Sequence, residues 1–333
     1  MPKSLPTIYD VAELAGVSIS TVSRVLNAPD KVQNDTRGSV LSAIDRLGFV
    51  PRADARARAM RGTRRIGVLT PFFTAPSFVQ RLRGVAQALN DTQYELIIYT
   101  ADSNRQLNTY LDMLSLTHNL DGLIILSLQF GDSYARRLVD HGLDAVLVEF
   151  PHSILSSIEI DDDSGGRMAA EHLLSRGHQR IGFVGDTLVH AFGIHPITQR
   201  LTGLREGLLD MGNALDDADI LIAPYDVRAT RQAGLDYLSR PDRPTALFAA
   251  TDLQAIGMMQ AARDLGLHVP QDLAIIGFDN LDVADYVGLT TIDQHLDESG
   301  SEAAGLLLAQ ISGQNRSIRH VQLPLTLVER ETT

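Results

Sequence analysis

From about residue 65 onward, short apolar runs alternate with stretches of helical periodicity. The runs Ile66–Thr70, Leu96–Thr100, Gly122–Ser127, Asp144–Glu149, Ile181–Gly185, Ile220–Ala223, Ala246–Ala250 and Leu273–Phe278 predict strands. Between them, apolar positions recur at helical spacing near 77–90, 105–118, 132–141, 165–176, 198–211, 229–239 and 252–266. Such alternation predicts parallel sheets with helices on both faces. Arg65-Ile66-Gly67-Val68-Leu69 recurs 115 residues later as Arg180-Ile181-Gly182-Phe183-Val184, each copy opening a strand–helix series. Two Rossmann-like lobes in sequence are the simplest account. Ligands of such sheets bind beyond the carboxyl ends of the strands, so a cleft between two facing lobes is expected.

The first fifty residues carry a different pattern. Val11, Ala12, Leu14 and Ala15 give one short helix an apolar face, with Thr7 as its N-cap. Gly16 follows, where the chain must turn with a positive φ that is cheap only for glycine. Ser18 then caps a second helix whose Val22, Val25 and Leu26 face back to the first. That arrangement leaves Ile19, Ser20, Ser23 and Arg24 outward, the geometry of a helix-turn-helix whose second helix enters a major groove. A third helix, from about Asp35 to Leu47 with Val40, Leu41, Ile44 and Leu47 apolar, ends at Gly48 with Pro51 beyond. The fold class is therefore an all-α helix-turn-helix headpiece joined to an α/β body.

Charge sharpens the picture. The chain of 333 residues has a net charge of −12, which by itself speaks against nucleic acid. Its distribution is uneven, however. Residues 1–65 hold eleven Lys and Arg against six Asp and Glu, a net of +5, while the remainder holds 18 against 35, a net of −17. A basic head gains from counterion release at phosphates, and an acidic body stays off the duplex. With no cysteine, disulfides, thiolate metal sites and a cysteine nucleophile are all excluded. No apolar run approaches the ~20 residues that span a bilayer, and the N-terminus lacks a signal-sequence pattern. A cytoplasmic protein without membrane contact is expected.

Candidate ligand residues follow from strand ends. Asp252 follows the run 246–250, Asp279 follows 273–278, and Arg200 opens a helix after a long loop. Carboxylates and an arginine converging on a cleft suit sugar hydroxyls, since each carboxylate accepts two hydrogen bonds and arginine donates in a fork. Arg200 and Asp279 can equally form a structural ion pair or a helix-start cap, and Asp252 can equally cap the helix 252–266. Enzyme motifs are missing: there is no Gly-x-Gly-x-x-Gly after a strand, no Walker loop, no Gly-x-Ser-x-Gly and no His-Glu-x-x-His. Asp161-Asp162-Asp163-Ser164-Gly165-Gly166 begins like a calcium loop but has Gly165 at its fifth position and His172 at its twelfth. His172, His178, His190 and His195 lack metal-ligand spacing. No metal, cofactor or catalytic residue is expected. A transport binding protein with the same body would leave the basic head unexplained.

Thr7-Ile8-Tyr9-Asp10-Val11-Ala12, Ala15-Gly16-Val17-Ser18 and Thr21-Val22-Ser23-Arg24-Val25-Leu26-Asn27 resemble the headpiece signature of the lactose-repressor (LacI) family. The resemblance continues through Thr36-Arg37 and Leu47-Gly48-Phe49-Val50-Pro51. The body is similar too, at Asp161 to Gly166, Gly177 to Gly182, Arg200-Leu201-Thr202-Gly203, Ala250-Thr251-Asp252, Gly277-Phe278-Asp279 and Leu289 to Ile292, so that about 5–330 is covered. It implies two lobes of periplasmic-binding-protein type and a transcriptional regulator, a repressor, controlled by a small metabolite such as a sugar. The implied divisions are a headpiece at 1–50, a hinge at 51–65 and an effector-binding body at 66–333. Within the body, the first lobe would take 66–160 and 290–322, and the second 161–289 and 323–333.

By the same resemblance, Ile19, Ser20 and Arg24 read bases, while Thr7, Tyr9, Ser18, Thr21 and Asn27 meet phosphates. Only Arg24 among these can make a bidentate contact to guanine. Phe72, Phe73, Ser77 and Phe78 supply a wall of the ligand cleft, with Thr251 standing where the family has asparagine, and Tyr225 and Gln294 are weaker candidates. Reading a palindrome requires two heads, so a homodimer on double-stranded DNA is implied. The hinge departs from the family, which places an asparagine and a leucine where this chain has Arg52 and Arg58. Arginine suits a narrow, negative minor groove better than a wedge between base pairs, and Met60 is the alternative wedge.

Overall fold

The computed structural model describes residues 6–27, 29–49, 63–186 and 196–333. Arg52, Arg58, Met60, His190 and His195 lie outside them, as does the side chain of Asn27. The chain divides into two compact units. One comprises Met1–Phe73, Ala86–Ser157 and Ala303–Arg319, the other Thr74–Val85, Ile158–Glu302 and His320–Thr333.

Three helices open the first unit: α1 (Ile8–Ala15), α2 (Ile19–Asn27) and α3 (Asn34–Leu47). Thr7 and Asp10 form a reciprocal capping box that closes the start of α1. The left-handed turn predicted at Gly16 is there, at φ 67°, and α3 ends the same way at Gly48, φ 60°. Val11, Ala12, Val22, Val25, Val40, Leu41, Ile44 and Phe49 make the headpiece core. Leu14, expected on the apolar face, is instead 40% exposed; α1 meets the core through Val11 and Ala12, with Ile8 and Ala15 partly buried beside them.

The first sheet has six strands in the order β11-β5-β4-β3-β1-β2, from β1 (Arg65–Thr70), β2 (Glu95–Thr100), β3 (Gly122–Leu126), β4 (Asp144–Val148), β5 (Ser156–Ile160) and β11 (His320–Leu323). Strand β1 runs parallel to both β2 and β3, with Ile66 opposite Leu96 and Gly122. Helices α4 (Pro76–Leu89), α5 (Asn104–Thr117) and α6 (Asp132–Asp140) connect its early strands.

The second sheet repeats the plan as β12-β10-β9-β8-β6-β7, from β6 (Ile181–Gly185), β7 (Ile220–Ile222), β8 (Ala246–Ala249), β9 (Ala274–Asp279), β10 (Thr290–Asp293) and β12 (Thr326–Val328). Its helices are α7 (Asp162–Ser175), α8 (Pro196–Asp210), α9 (Val227–Leu238), α10 (Asp252–Asp264) and α11 (Asp282–Tyr286), while α12 (Leu296–Ile311) begins in the second unit and ends in the first. The sequence echo thus marks β1 and β6, which hold the same place in each sheet, beside the point where strand order reverses. Its glycine is crowded in both copies, at Gly67 by side-chain ends alone and at Gly182 also by the Asp219 carbonyl, 2.9 Å from where a Cβ would stand. A Cβ on Gly67 would stand 2.5 Å from Leu120 Cδ1, and one on Gly182 would stand 2.4 Å from the Tyr237 hydroxyl.

Strand alternation sorts the second unit's core into two layers. Phe183, Phe248, Ile276 and Phe278 face α7 and α8, while Val184, Leu247, Ala249 and Ile275 face α9 and α10. Burial on both faces explains why β3, β6 and β9 read as unbroken apolar runs.

Among the described residues, three strands (β5, β10 and β11) and two helices (α11 and α12) go beyond the sequence reading, while β12 is the expected last strand of the second lobe. β5 begins with two serines, which are buried because Ser156 Oγ accepts from Gln310 Nε2 at 2.9 Å and Arg319 N at 3.1 Å. α12 carries Gly300 and Gly305, which weaken a helical reading. Gly300 is needed, since a Cβ there would lie 2.0 Å from the Arg81 carbonyl of α4. The return to the first lobe, expected near 290, lies elsewhere. Thr290–Asp293 is a strand of the second sheet, parallel to β9 and antiparallel to β12, and the first unit resumes at Ala303.

Candidate functional site

Two sets of candidate residues take shape, each within one unit. In the first unit, α2 presents its opening turn to solvent. Tyr9 is 68% and Ile19 41% exposed, and Ser18, Ser20 and Arg24 are exposed beside them. Ser18 Oγ accepts from the Thr21 amide at 3.2 Å and shares hydrogen bonds of 2.8 Å with the Ser20 and Thr21 hydroxyls. This fixes three hydroxyls in one patch at the amino end of a helix, where amides already favour anions. Thr7 is engaged differently: its hydroxyl and its amide both donate to Asp10 Oδ2, at 2.6 Å each. Ser23 is half-buried rather than outward.

In the second unit the site is assembled by a tight helix crossing. α7 and α8 meet at Gly166 and Gly203; a Cβ on Gly203 would lie 1.9 Å from the Asp163 carbonyl. That closeness lets Arg200, one turn before Gly203, reach Asp162 at the start of α7. Its Nε donates to Asp162 Oδ1 at 2.7 Å and its Nη1 to the Ala250 carbonyl at 2.6 Å. The guanidinium lies 3.6 Å over the Phe278 ring, and Nη1 stands 3.7 Å from Asp279 Oδ1. Arg200 is 3% exposed.

Asp279 ends β9 with φ 119°, and Asn280 follows at φ 52°. Non-glycine residues rarely hold such angles, and they collect at ligand clamps. Gln294 Nε2 donates to Asp279 Oδ1 at 2.5 Å, while its own carbonyl accepts from the buried Arg81 at 2.8 Å. The Tyr225 hydroxyl is buried next to this group and makes no hydrogen bond of normal geometry. Burial raises its pKa and the Asp279 carboxylate adds to the rise, while the Ser77 hydroxyl and Arg200 act against it. Arg200, Asp279, Ser77 and the weaker candidates Tyr225 and Gln294 therefore come together.

The other candidates are placed otherwise. Asp252 is fully buried, with Oδ1 accepting from the Thr291 hydroxyl at 2.5 Å and Oδ2 from the Leu281 amide at 2.7 Å. Burial, with Asp279 nearby, pushes its pKa well above the usual carboxylate range. It ties β9 to β10. The N-cap of α10 is Thr251, whose Oγ1 accepts from the Gln254 amide at 3.3 Å. Phe78 is half-buried in the second unit, and Phe72 and Phe73 belong to the first, 48% and 42% exposed. Sequence reasoning missed Asp162, Phe278 and Arg81 as the groups that hold Arg200 and Gln294. It also missed Ser127 and Glu149, which directly follow β3 and β4 with φ 53° and 70° and hydrogen-bond to each other. The signal was available: both are polar residues at strand ends, like Asp279.

Among the described residues, no group of three or more His, Cys, Asp or Glu side chains could hold a metal ion, and no helix is long and apolar enough to cross a membrane.

Residues 7–52 match the family "Bacterial regulatory proteins, lacI family", and residues 170–333 match "Periplasmic binding protein-like domain". The chain is 32% identical to catabolite control protein A of Priestia megaterium, over 98% of this chain and 99% of that one. It is also 32% identical to the ribose operon repressor of Haemophilus influenzae, over 98% of each. Among solved structures, it superposes on the lac repressor dimer bound to operator and the anti-inducer ONPF with a TM-score of 0.71 at 27% identity, covering 98% of both chains. The transcriptional regulator CelR–cellobiose complex gives a TM-score of 0.71 at 29% identity, over 98% of this chain and 100% of that one.

Proposed function

The chain belongs to the LacI family of bacterial regulatory proteins, and from that premise we propose that it is a transcriptional repressor. It binds a palindromic operator in double-stranded DNA as a homodimer and is switched by a small metabolite, a sugar or sugar derivative, held in its α/β body. The observation that carries this reading is the exposed opening turn of α2. An apolar Ile19, 41% exposed, stands among Ser18, Ser20 and Arg24 on a helix whose opposite face is locked into a core. An apolar side chain in that setting suits a thymine methyl, and Arg24 suits guanine. Tyr9, Ser18, Thr21 and Asn27 hold phosphates, as does Thr7 through the α1 terminus that its capping box shapes. Arg52 and Arg58 enter the minor groove at an A/T-rich operator centre.

The unsatisfied Tyr225 hydroxyl beside Arg200 and Asp279 supports a polar effector in the second unit, since a buried hydroxyl gains from a partner. The lac repressor on its operator and CelR with cellobiose support DNA and sugar as the two ligands. Ser77, Phe78, Arg200 and Asp279 touch the effector, and Thr251 and Asp252 shape the site from behind. The protein works in the cytoplasm and catalyses no reaction.

Selection from random duplex DNA by the full chain tests the reading. Enrichment of a palindrome whose half-sites change when Arg24→Ala is used supports it. Recovery of no common sequence, with or without a panel of sugars that includes ribose and cellobiose, overturns it.

A further inference from the structure

The headpiece has a core of its own, yet it is also fastened to the body of the first unit, by one apolar side chain that enters that core and by a set of charged ones outside it. Leu116 of α5 joins the headpiece cluster and is 3% exposed. Arg37 of α3 is turned away from the reading face and received by three acceptors on α5. Its Nη1 donates to Thr109 Oγ1 at 3.1 Å, and its Nη2 donates to the Asn108 carbonyl at 3.3 Å and to the Asp112 carboxylate.

Asp112 also accepts from Arg137 of α6, and Arg137 Nη2 reaches back to Asp45 of α3 at 2.8 Å. His141 Nε2 stands 3.2 Å from the same Asp45. The order is alternating: Arg37, Asp112, Arg137, Asp45. Headpiece and body each supply one charge of each sign, so only one register pairs them all. Arg37 and Asp45 lie eight residues apart, ~12 Å along α3, which gives the fastening two separated points and resists rotation. The Arg37 and Asp112 side chains are only 11% and 10% exposed, where such pairs are screened far less than on an open surface. None of these residues is in the exposed row of α2, which stays open to solvent while they are paired.

We propose that this cluster is a latch that docks the DNA-reading headpiece on α5 and α6 in the DNA-free chain, making the headpiece orientation a property of the body. Neutralising Asp112 weakens both points at once, because both guanidiniums lose their shared acceptor, leaving Arg137 with Asp45 and Arg37 with the Thr109 hydroxyl and the Asn108 carbonyl.

The absence of cysteine permits a direct test. Ser39→Cys places one thiol on exposed α3, and a dye attached there reports headpiece rotation by time-resolved anisotropy of the full chain. With the latch intact, the dye should show only the slow tumbling of the whole body beyond its own local motion. Asp112→Ala should introduce a faster component of headpiece size, the docked-to-free ratio falling about ten- to a hundredfold for the charged hydrogen bonds lost. Arg37→Gln, altered on the headpiece side, should do the same and should add little when combined with Asp112→Ala. Far-UV circular dichroism on each variant separates release from unfolding. A fast component already dominant in the parent chain overturns the proposal. So does an unchanged decay in both variants, or full additivity of the two.

Discussion

Asp162→Ala is the sharpest test of how the polar site of the second unit is built. The change removes the carboxylate that holds Arg200 Nε at 2.7 Å, in a place where both side chains are no more than 5% exposed. Breaking a buried pair by deleting one member costs about 3–5 kcal/mol, mostly for the charge left behind. Here the cost falls at the lower end, about 3 kcal/mol, because the Ala250 carbonyl and the Phe278 ring remain. Asp279, 3.7 Å away, can also draw the freed guanidinium toward itself. For a domain of this size that loss lowers Tm by roughly 6–12 °C. The chain has no tryptophan, so calorimetry or circular dichroism is the assay. Arg200→Met in the same background should recover part of the loss, since it removes the stranded charge. A melting point within 1 °C of the parent for Asp162→Ala refutes the reasoning, because Arg200 would then not depend on that carboxylate.

Three further outcomes are expected. Gly203→Val should prevent the second unit from folding to a soluble form, since even a Cβ would meet the Asp163 carbonyl at 1.9 Å; recovery of a soluble chain with parental circular dichroism contradicts this. Thr7→Ala removes the side-chain half of the α1 capping box, leaving the residue-7 amide on Asp10, and should destabilise the headpiece by about 0.5–2 kcal/mol, read as faster amide exchange in α1 with the second unit unchanged. Asp161 caps α7 through the Ser164 amide at 3.0 Å, and that hydrogen bond holds its carboxyl below the usual range. Its contribution is therefore complete above the unfolded-state value and fades as pH falls through the folded one. The stability gap between the parent and Asp161→Ala should be constant near neutrality and narrow in acid, and a gap that widens in acid would contradict the assignment.

Local rules made much of this protein legible. The capping box, the left-handed glycines after α1 and α3, and the apolar spacing of Val11, Val22, Val25 and Ile44 are properties of a few neighbouring residues. They specify the headpiece wherever it sits. Continuous apolar runs likewise mark strands that are buried on both faces, and the repeated Arg-Ile-Gly marks the equivalent strands β1 and β6. Strands with polar beginnings escaped, because β5 is sustained by what Ser156 meets from Gln310 and Arg319, more than 150 residues away.

The site shows the same division. A polar residue at a strand end pointed to Asp279, and one near the start of a helix to Arg200, without any knowledge of contacts. Only tertiary structure decided that Arg200 is held by Asp162 across a glycine crossing, that Asp252 turns inward to Thr291, and that Thr251 takes the cap. It alone decided that Arg37, one more basic residue of a basic head by sequence, spends its charge on Asp112. Periodicity and capping depend on residues within a turn or two. Which charge neutralises which depends on where the chain returns after dozens of residues, and that is settled by packing.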